Sequence, residues 1–456
     1  LKLQVYVLSR HVAVLESVGD FKSVLAYVPG TSPDALVSLT MHVRTESYSW
    51  DDELPPIFRM NLPEGYLLQV LQEEFGPHVG ASPAALLSVV GRNMVGRMQI
   101  APEGASLNEP AKPIDVAELL KGDNSEEAFT QLVREHAKSG VSGVLPKFLD
   151  TEIKQVGSPG LGPHKKATLL THDHIIKGSS DKLPFATLNE YLCMQVVSKI
   201  VSSARTELSQ DGRLLVVSRF DVNEDGQPHW AIEDFCALLG LRPAAKYDTT
   251  WERIAKAVRD HVPGNRQLET FRTMTTILLL TYALRNADCH SKNLALLYSS
   301  ATDAHIAPAY DFLTTSIYAG YELNPPGIGF RGKKTWLPGK NLSKFIGSIF
   351  GIPLREQIGI VERISDAVSD TSPLVREMMH RFSDFRDTGK RMLAAWNEGI
   401  SGLRDRRVYA MSNWSPNEAF QGLSDPPRLE STRRVIGRSP LLGNRSKRSK
   451  TVHKPA

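Results

Sequence analysis

Cysteine is scarce. The 456 residues contain three, Cys193, Cys236 and Cys289, too few and too scattered for a disulfide framework, and no Cys-x-x-Cys pair suggests zinc. Long apolar runs are missing too, since nothing approaches the roughly 18–20 residues that span a bilayer. The N-terminal stretch lacks the basic segment, apolar core and small-residue cleavage site of a secretory leader, and no internal repeat is evident. These absences exclude a stapled secreted scaffold, a helical membrane protein and a solenoid. They predict a chain of the reducing cytoplasm with no membrane partner. A charge excess is missing from most of the chain as well. The formal net charge is +4, but residues 428–456 carry nine Lys/Arg against Glu430, so the tail holds +8 and the rest −4. The basic balance describes the tail and says nothing of a nucleic-acid surface on the folded part.

What is present is ordinary for a globular protein, 41% hydrophobic and 23% charged, at a length that suggests two or three domains. Strand candidates Leu3–Leu8, Val12–Leu15 and Val24–Val28 open the chain. A helix follows from about Tyr66 to Phe75, then a helix Pro83–Val90 with Ser82 as cap and Pro83 at its first position, then a strand Arg97–Ala101. This predicts a small α+β unit over 1–101. Residues 102–138 read as a linker with helices at Ile114–Leu120 and 127–138. Residues 139–232 read as a sheet-rich lobe. It comprises a Gly/Ser loop over Ser139–Lys147, a strand Leu169–Lys177, a helix Leu188–Ala204, a strand Leu214–Asp221 and a hairpin return at His229–Ile232. Helices dominate 233–414, with candidates at 233–239, 250–261, 268–286, 342–350, 353–370 and 373–398. Residues 415–456 read as a basic, disordered tail, touching nucleic acid at most through charge.

One stretch carries chemistry. In Arg285-Asn286-Ala287-Asp288-Cys289-His290-Ser291-Lys292-Asn293 an acid stands five residues before an amide, an apolar strand follows, and a second acid comes in Ala309-Tyr310-Asp311. Phosphoryl transfer asks for such a set: one carboxylate to orient or deprotonate the attacking hydroxyl, and an amide oxygen with a second carboxylate to hold Mg²⁺ on the phosphates. Taken alone, Asp288 at a helix end is more often a cap or turn residue. Its offset to Asn293 and the later Asp311 favour the functional reading. Zinc is a poor fit, because one His with Asp and Asn lacks the ligand set. The order of pieces before it is also a kinase order, although the His-Arg-Asp and Asp-Phe-Gly words of ordinary protein kinases are absent.

The chain resembles the HipA family of serine/threonine-kinase toxins from bacterial toxin–antitoxin pairs, from about residue 3 to about residue 400. The resemblance rests on Asn61-Leu62-Pro63-Glu64, Leu86–Arg92, Ser142-Gly143-Val144-Leu145-Pro146-Lys147, His174–Lys177 and Asn189-Glu190-Tyr191. It continues through Arg219-Phe220-Asp221, Glu233–Cys236, Lys246-Tyr247, Asn286–Asn293 and Tyr310-Asp311. It implies an α+β architecture: a small N-terminal α/β subdomain packed on a bilobal protein-kinase-like fold with a mostly helical C-terminal lobe. It also implies an ATP- and Mg²⁺-dependent enzyme, a protein substrate that is a glutamyl-tRNA synthetase in the best-known members, and a small helix-turn-helix antitoxin of the HipB kind with its operator DNA.

By that resemblance Lys177 contacts ATP, and Glu190 is its ion-pair partner or else an exposed first-turn glutamate. Ser142, Gly143 and Val144 belong to a loop over the phosphates. Ser218, Arg219 and Phe220 form the hinge beside adenine, with the bland alternative of a core strand. Asp288 is the catalytic acid, His290 supports its loop, Lys292 approaches the γ-phosphate or is solvated, and Asn293 and Asp311 bind the metal. The family's self-phosphorylated serine falls here on Gly140, leaving Ser142 and Ser139 as the nearby hydroxyls. Phe330–Trp336, with three cations, faces an acidic partner or is a plain polar loop. Two other functions stay open: a kinase of the same fold acting on a lipid or small molecule, since Asp-x-His-x-x-Asn also resembles lipid-kinase loops, and a non-catalytic scaffold acting with an antitoxin on an operator.

Overall fold

The structure, a computed structural model, describes residues 1–18, 22–51, 53–62, 82–107, 114–122, 124–141, 168–171, 173–179 and 183–411. The helix expected at Tyr66–Phe75, the loop residues Ser142, Gly143 and Val144, and the tail from 415 lie outside them.

The N-terminal unit is built on alternation. In β1 (Lys2–Val7) residues Leu3, Val5 and Val7 are buried while Lys2 is exposed, the period of a strand with one face on a core. With β2 (Arg10–Val18), β3 (Lys22–Tyr27), β4 (Tyr48–Trp50) and β5 (Met98–Pro102) it makes an antiparallel sheet ordered β4-β3-β2-β1-β5. The short helix Pro56–Met60 and the helix Pro83–Val90 complete its separate core around Leu15, Phe58 and Leu87. Ser82 caps the second helix as expected, accepting from the Ala85 N–H at 3.2 Å.

Helices Val116–Lys121 and Glu126–Val141 lead into the next lobe. The second runs three residues beyond the expected end and takes Ser139 and Gly140 into its last turn, so neither begins a phosphate loop. The stretch Leu169–Lys177, expected as one strand, is two: β6 (Thr168–Leu170) and β7 (His174–Gly178) pair antiparallel with Leu169 opposite Ile176. Thr171 makes the turn, its Oγ1 accepting from the His174 N–H at 3.0 Å, the local competition that ends strands at Thr and Asp. The helix Ala186–Ser198 stops six residues short of the expected Ala204, and the chain continues into β8 (Thr206–Leu208) and β9 (Leu214–Ser218), giving a sheet ordered β6-β7-β9-β8. The hairpin return is present but short: Val222 pairs antiparallel with Pro228, and the His229 and Trp230 N–H groups both donate to the Asp221 carbonyl at 2.9 Å. Beyond it, β10 (Ala231–Asp234) pairs with β11 (Ala295–Tyr298), which pairs with β12 (His305–Ile306).

The second lobe is helical: Phe235–Leu238, Trp251–His261, Gly264–Ala283, Lys340–Phe345 running into a π turn Ile346–Phe350, Leu354–Arg381 and Arg386–Arg404. A break expected near 370–373 is absent. Pro373 lies inside the helix Leu354–Arg381, held there by burial of Val368, Thr371, Ser372 and Val375 around it, which outweighs the hydrogen bond that Pro removes. The helix Gly264–Ala283 is buried from Met274 to Ala283. It crosses the last helix so closely that a Cβ at Gly399 would stand 2.1 Å from the Ala283 carbonyl oxygen. One core joins both lobes, from Leu192 and Val217 to Ile277, Leu296 and Trp396.

Buried polar contacts lock the N-terminal unit to the rest. Arg97 donates to the Ser299 carbonyl at 2.6 Å and to the Asp34 carbonyl at 2.7 Å. Glu233, fully buried, accepts from Ser38 Oγ at 2.7 Å, the Leu39 N–H at 2.9 Å and Tyr298 Oη at 3.2 Å. Arg219 pairs with Asp221 and donates to the carbonyls of Thr171 and Met94, while Asp221 Oδ2 accepts from the Gly96 N–H.

Candidate active site

The central helix Gly264–Ala283 ends at Leu284, and Arg285 reverses the chain with φ 55°. That left-handed conformation is costly for a residue with a Cβ and is held from both ends. Thr315 Oγ1 donates to the Arg285 carbonyl at 2.9 Å and accepts from the Ala287 N–H at 2.8 Å, while the Arg285 guanidinium meets Glu398 at 2.8 Å. The loop that follows is pinned by its own amides: Asn286 Oδ1 accepts from the Asp288 N–H at 3.1 Å, and Asn293 Nδ2 donates to the Asp288 carbonyl at 3.0 Å. The five-residue spacing read in the sequence is therefore the closing distance of a loop. Ser291 fastens the loop to the lobe through its N–H and Oγ, both donating to the Lys246 carbonyl, at 3.1 and 2.8 Å.

Lys177 stands at the C-terminal end of β7, facing two acids. Its Nζ lies 2.5 Å from Glu190 Oε1 and 2.9 Å from Asp311 Oδ1. Glu190 is buried in the helix Ala186–Ser198, so the alternative of an exposed first-turn glutamate is excluded. Asn189 beside it clamps the irregular segment beyond Asp311, donating to the Thr314 carbonyl and accepting from the Thr314 N–H, each at 2.9 Å. Asp311 itself has φ 61°, a second non-glycine residue in the left-handed region at this site. The two halves meet where Tyr310 Oη donates to the Lys292 carbonyl at 2.9 Å, which sets the residues preceding Asn293 and Asp311 side by side.

His290 is buried, and that burial pushes its imidazole down to about 4 despite the opposing pull of Asp288. It is neutral at ordinary pH, and its Nε2 is 3.9 Å from Asp288 Oδ1, beyond a hydrogen bond, so it supports the loop. Cys289 is an inert core thiol, pushed up to about 12 by burial. The Asp288 carboxylate accepts from the Tyr247 hydroxyl.

The hinge residues sit differently from the expectation. The N–H groups of Ser218 and Arg219 are already bonded to the carbonyls of Arg205 and Asp173, each at 2.9 Å. The Arg219 side chain belongs to the buried cluster with Asp221, and Phe220 packs on Tyr310 with ring centroids 5.8 Å apart. Arg219 thus ties units together and does not face a ligand. In Phe330–Trp336, Lys334 donates its Nζ to the carbonyls of Gly327 and Tyr247, at 2.6 and 2.7 Å, and Trp336 is buried. All three cations are exposed, but the Lys334 ammonium is engaged by those carbonyls. Asn189, Asn286, Thr315 and Tyr247 are supports that spacing alone does not single out. Asn189, Asn286 and Tyr247 lie within Asn189-Glu190-Tyr191, Asn286–Asn293 and Lys246-Tyr247, which is their signal in the sequence; Thr315 has none.

A divalent cation suits this donor set. Asn293 uses its amide nitrogen on Asp288, which leaves Oδ1 for a ligand, and Asp311 offers carboxylate oxygens. Among the described residues no three Asp, Glu, His or Cys side chains form a cage for an ion.

Comparison with known proteins gives the chain a family. Residues 139–372 match the HipA-like C-terminal domain and residues 3–101 the HipA N-terminal domain. The chain is 27% identical over 375 residues to the Sinorhizobium fredii protein named "Putative kinase Y4mE", covering 76% of this chain and 84% of that one. It is 24% identical over 238 residues to a Haemophilus influenzae protein named "Putative kinase", covering 45% and 67%. The fold is shared with HipA of Shewanella oneidensis, solved with HipB and its operator DNA, at a TM-score of 0.61 and 16% identity over 88% of this chain and 96% of that one. Among the described residues no helix is long and apolar enough to cross a membrane.

Proposed function

Because this chain belongs to the HipA family, we propose that it is a kinase that moves the γ-phosphoryl group of Mg²⁺-bound ATP to a serine or threonine hydroxyl of a cytoplasmic protein. We further propose that it is the toxin of a pair with a small HipB-like antitoxin that binds operator DNA. The observation that carries the enzymatic reading is the Lys177 ammonium joined at once to Glu190 and Asp311, beside a loop that presents Asp288 and Asn293. In the working complex the lysine turns its charge to the phosphates, with Glu190 keeping it in place. Asn293 Oδ1 and Asp311 would hold Mg²⁺, which would supply neutralisation of the phosphate charge. Asp288 orients the acceptor hydroxyl and takes its proton. His290, neutral and buried, keeps water from the back of the loop. The polar residues Asp288, Asn293 and Asp311 are all present in the sequence, which favours an enzyme over a scaffold.

The test is transfer of label from γ-labelled ATP, with Mg²⁺, into a bacterial lysate. Label in protein is expected with the wild-type chain, and its loss with Asp288→Ala. Label in lipid or metabolites alone moves the assignment to a different acceptor. Wild-type transfer that survives Asp288→Ala refutes the mechanism.

A further inference from the structure

We infer that Tyr247 is a positioning residue for phosphoryl transfer, setting which oxygen of Asp288 faces the acceptor hydroxyl. The inference rests on Asp288 acting as proposed above. The backbone of Asp288 is held by Asn286 and Asn293, but those two bonds leave its carboxylate able to turn about χ1 and χ2. The Tyr247 hydroxyl donates to Oδ1 and so selects one orientation, with Oδ2 left for the acceptor. The Asp288 side chain is 27% exposed, open enough for an incoming hydroxyl to reach it. An acceptor must come within about 2.6–3.2 Å of its base, so a carboxylate free to swing loses productive encounters.

Tyr247 is itself built in. Its ring is buried and stands edge-on to His290, with centroids 5.0 Å apart at 82°. Its carbonyl receives Lys334 Nζ, which also bonds the Gly327 carbonyl. Gly327 lies flat on the catalytic loop, where a Cβ would come 2.3 Å from the Cys289 carbonyl oxygen. The phenol is therefore aimed by contacts that do not involve Asp288. Packing needs only the ring, whereas the role inferred here needs the hydroxyl.

Tyr247→Phe separates the two. In the full-length protein, label transfer from γ-labelled Mg²⁺-ATP to lysate protein is measured at varied ATP, together with thermal unfolding. The expected result is a maximal rate lowered about 10- to 100-fold, a KM for ATP within about twofold of wild type, and an unchanged unfolding midpoint, because the ring stays. Tyr247→Ala is expected to lose the same rate and to unfold at lower temperature as well. A Tyr247→Phe rate within about twofold of wild type overturns the inference and leaves the kinase reading intact. A lowered rate accompanied by a lowered unfolding midpoint or a raised KM overturns it in favour of a structural role. A wild-type chain that transfers no label overturns both.

Discussion

Replacing Glu233 with Gln should stabilise this protein by an amount that grows as pH rises. Glu233 is fully buried between the N-terminal unit and the helical lobe. Burial raises its carboxyl from 4.5 to about 7, although Ser38, Leu39 and Tyr298 all offer hydrogen bonds to it and pull the other way. Tyr27 and Tyr298 lie close, Arg97 is the nearby cation, and Asp234 adds repulsion. A carboxyl with a raised folded-state value binds more protons folded than unfolded. Its stabilising contribution is therefore complete below the unfolded value and lost as pH rises through the folded one. A shift of this size corresponds to about 3 kcal/mol at the extremes, of which about 2 kcal/mol disappears between about pH 5.5 and about pH 8.5. Glutamine fits the same partners: Nε2 can donate to Ser38 Oγ, and Oε1 can accept from the Leu39 N–H and Tyr298 Oη. Urea unfolding of both proteins at several pH values checks this, because other titrating groups cancel in the difference. Relative to wild type, Glu233→Gln should gain about 2 kcal/mol of stability between about pH 5.5 and about pH 8.5. A pH-independent difference between the two proteins would refute the reasoning.

Two further predictions concern the supports of the site. Arg219→Met leaves Asp221 buried and unpaired, so it should cost about 3–5 kcal/mol and speed hydrogen exchange over Met94–Met98, while conservative changes at exposed Arg205 should do neither. Gly399→Ala places a methyl 2.1 Å from the Ala283 carbonyl oxygen. It should destabilise by about 1–3 kcal/mol, seen as a lower unfolding midpoint, and lower the transfer rate by shifting the helix end that delivers Asp288.

The chemistry of the site was legible because it is written in residue types at fixed spacing. Lys177 meets both Glu190 and Asp311, and Asn293 closes its loop onto the Asp288 carbonyl. Periodicity also located the N-terminal strands and the long buried helix, since alternation and a 3.6-residue repeat are local properties. Boundaries failed where a distant contact decides. The hairpin turn at Thr171, the early end of the helix at Ser198 and the passage of Pro373 through a helix interior each depend on what packs against them.

By itself, the sequence determined the family, the order of lobes and the acids, amide and lysine of the site, because those depend on composition and spacing along one chain. The tertiary structure alone decided that Arg219 and Glu233 fasten domains, that Lys334 bonds the carbonyls of Gly327 and Tyr247 and that Tyr247 holds Asp288. Each of these is a partnership between residues far apart in the chain. The cost of burying a charge or a hydroxyl without a partner is what selects it, and no local pattern records that partner.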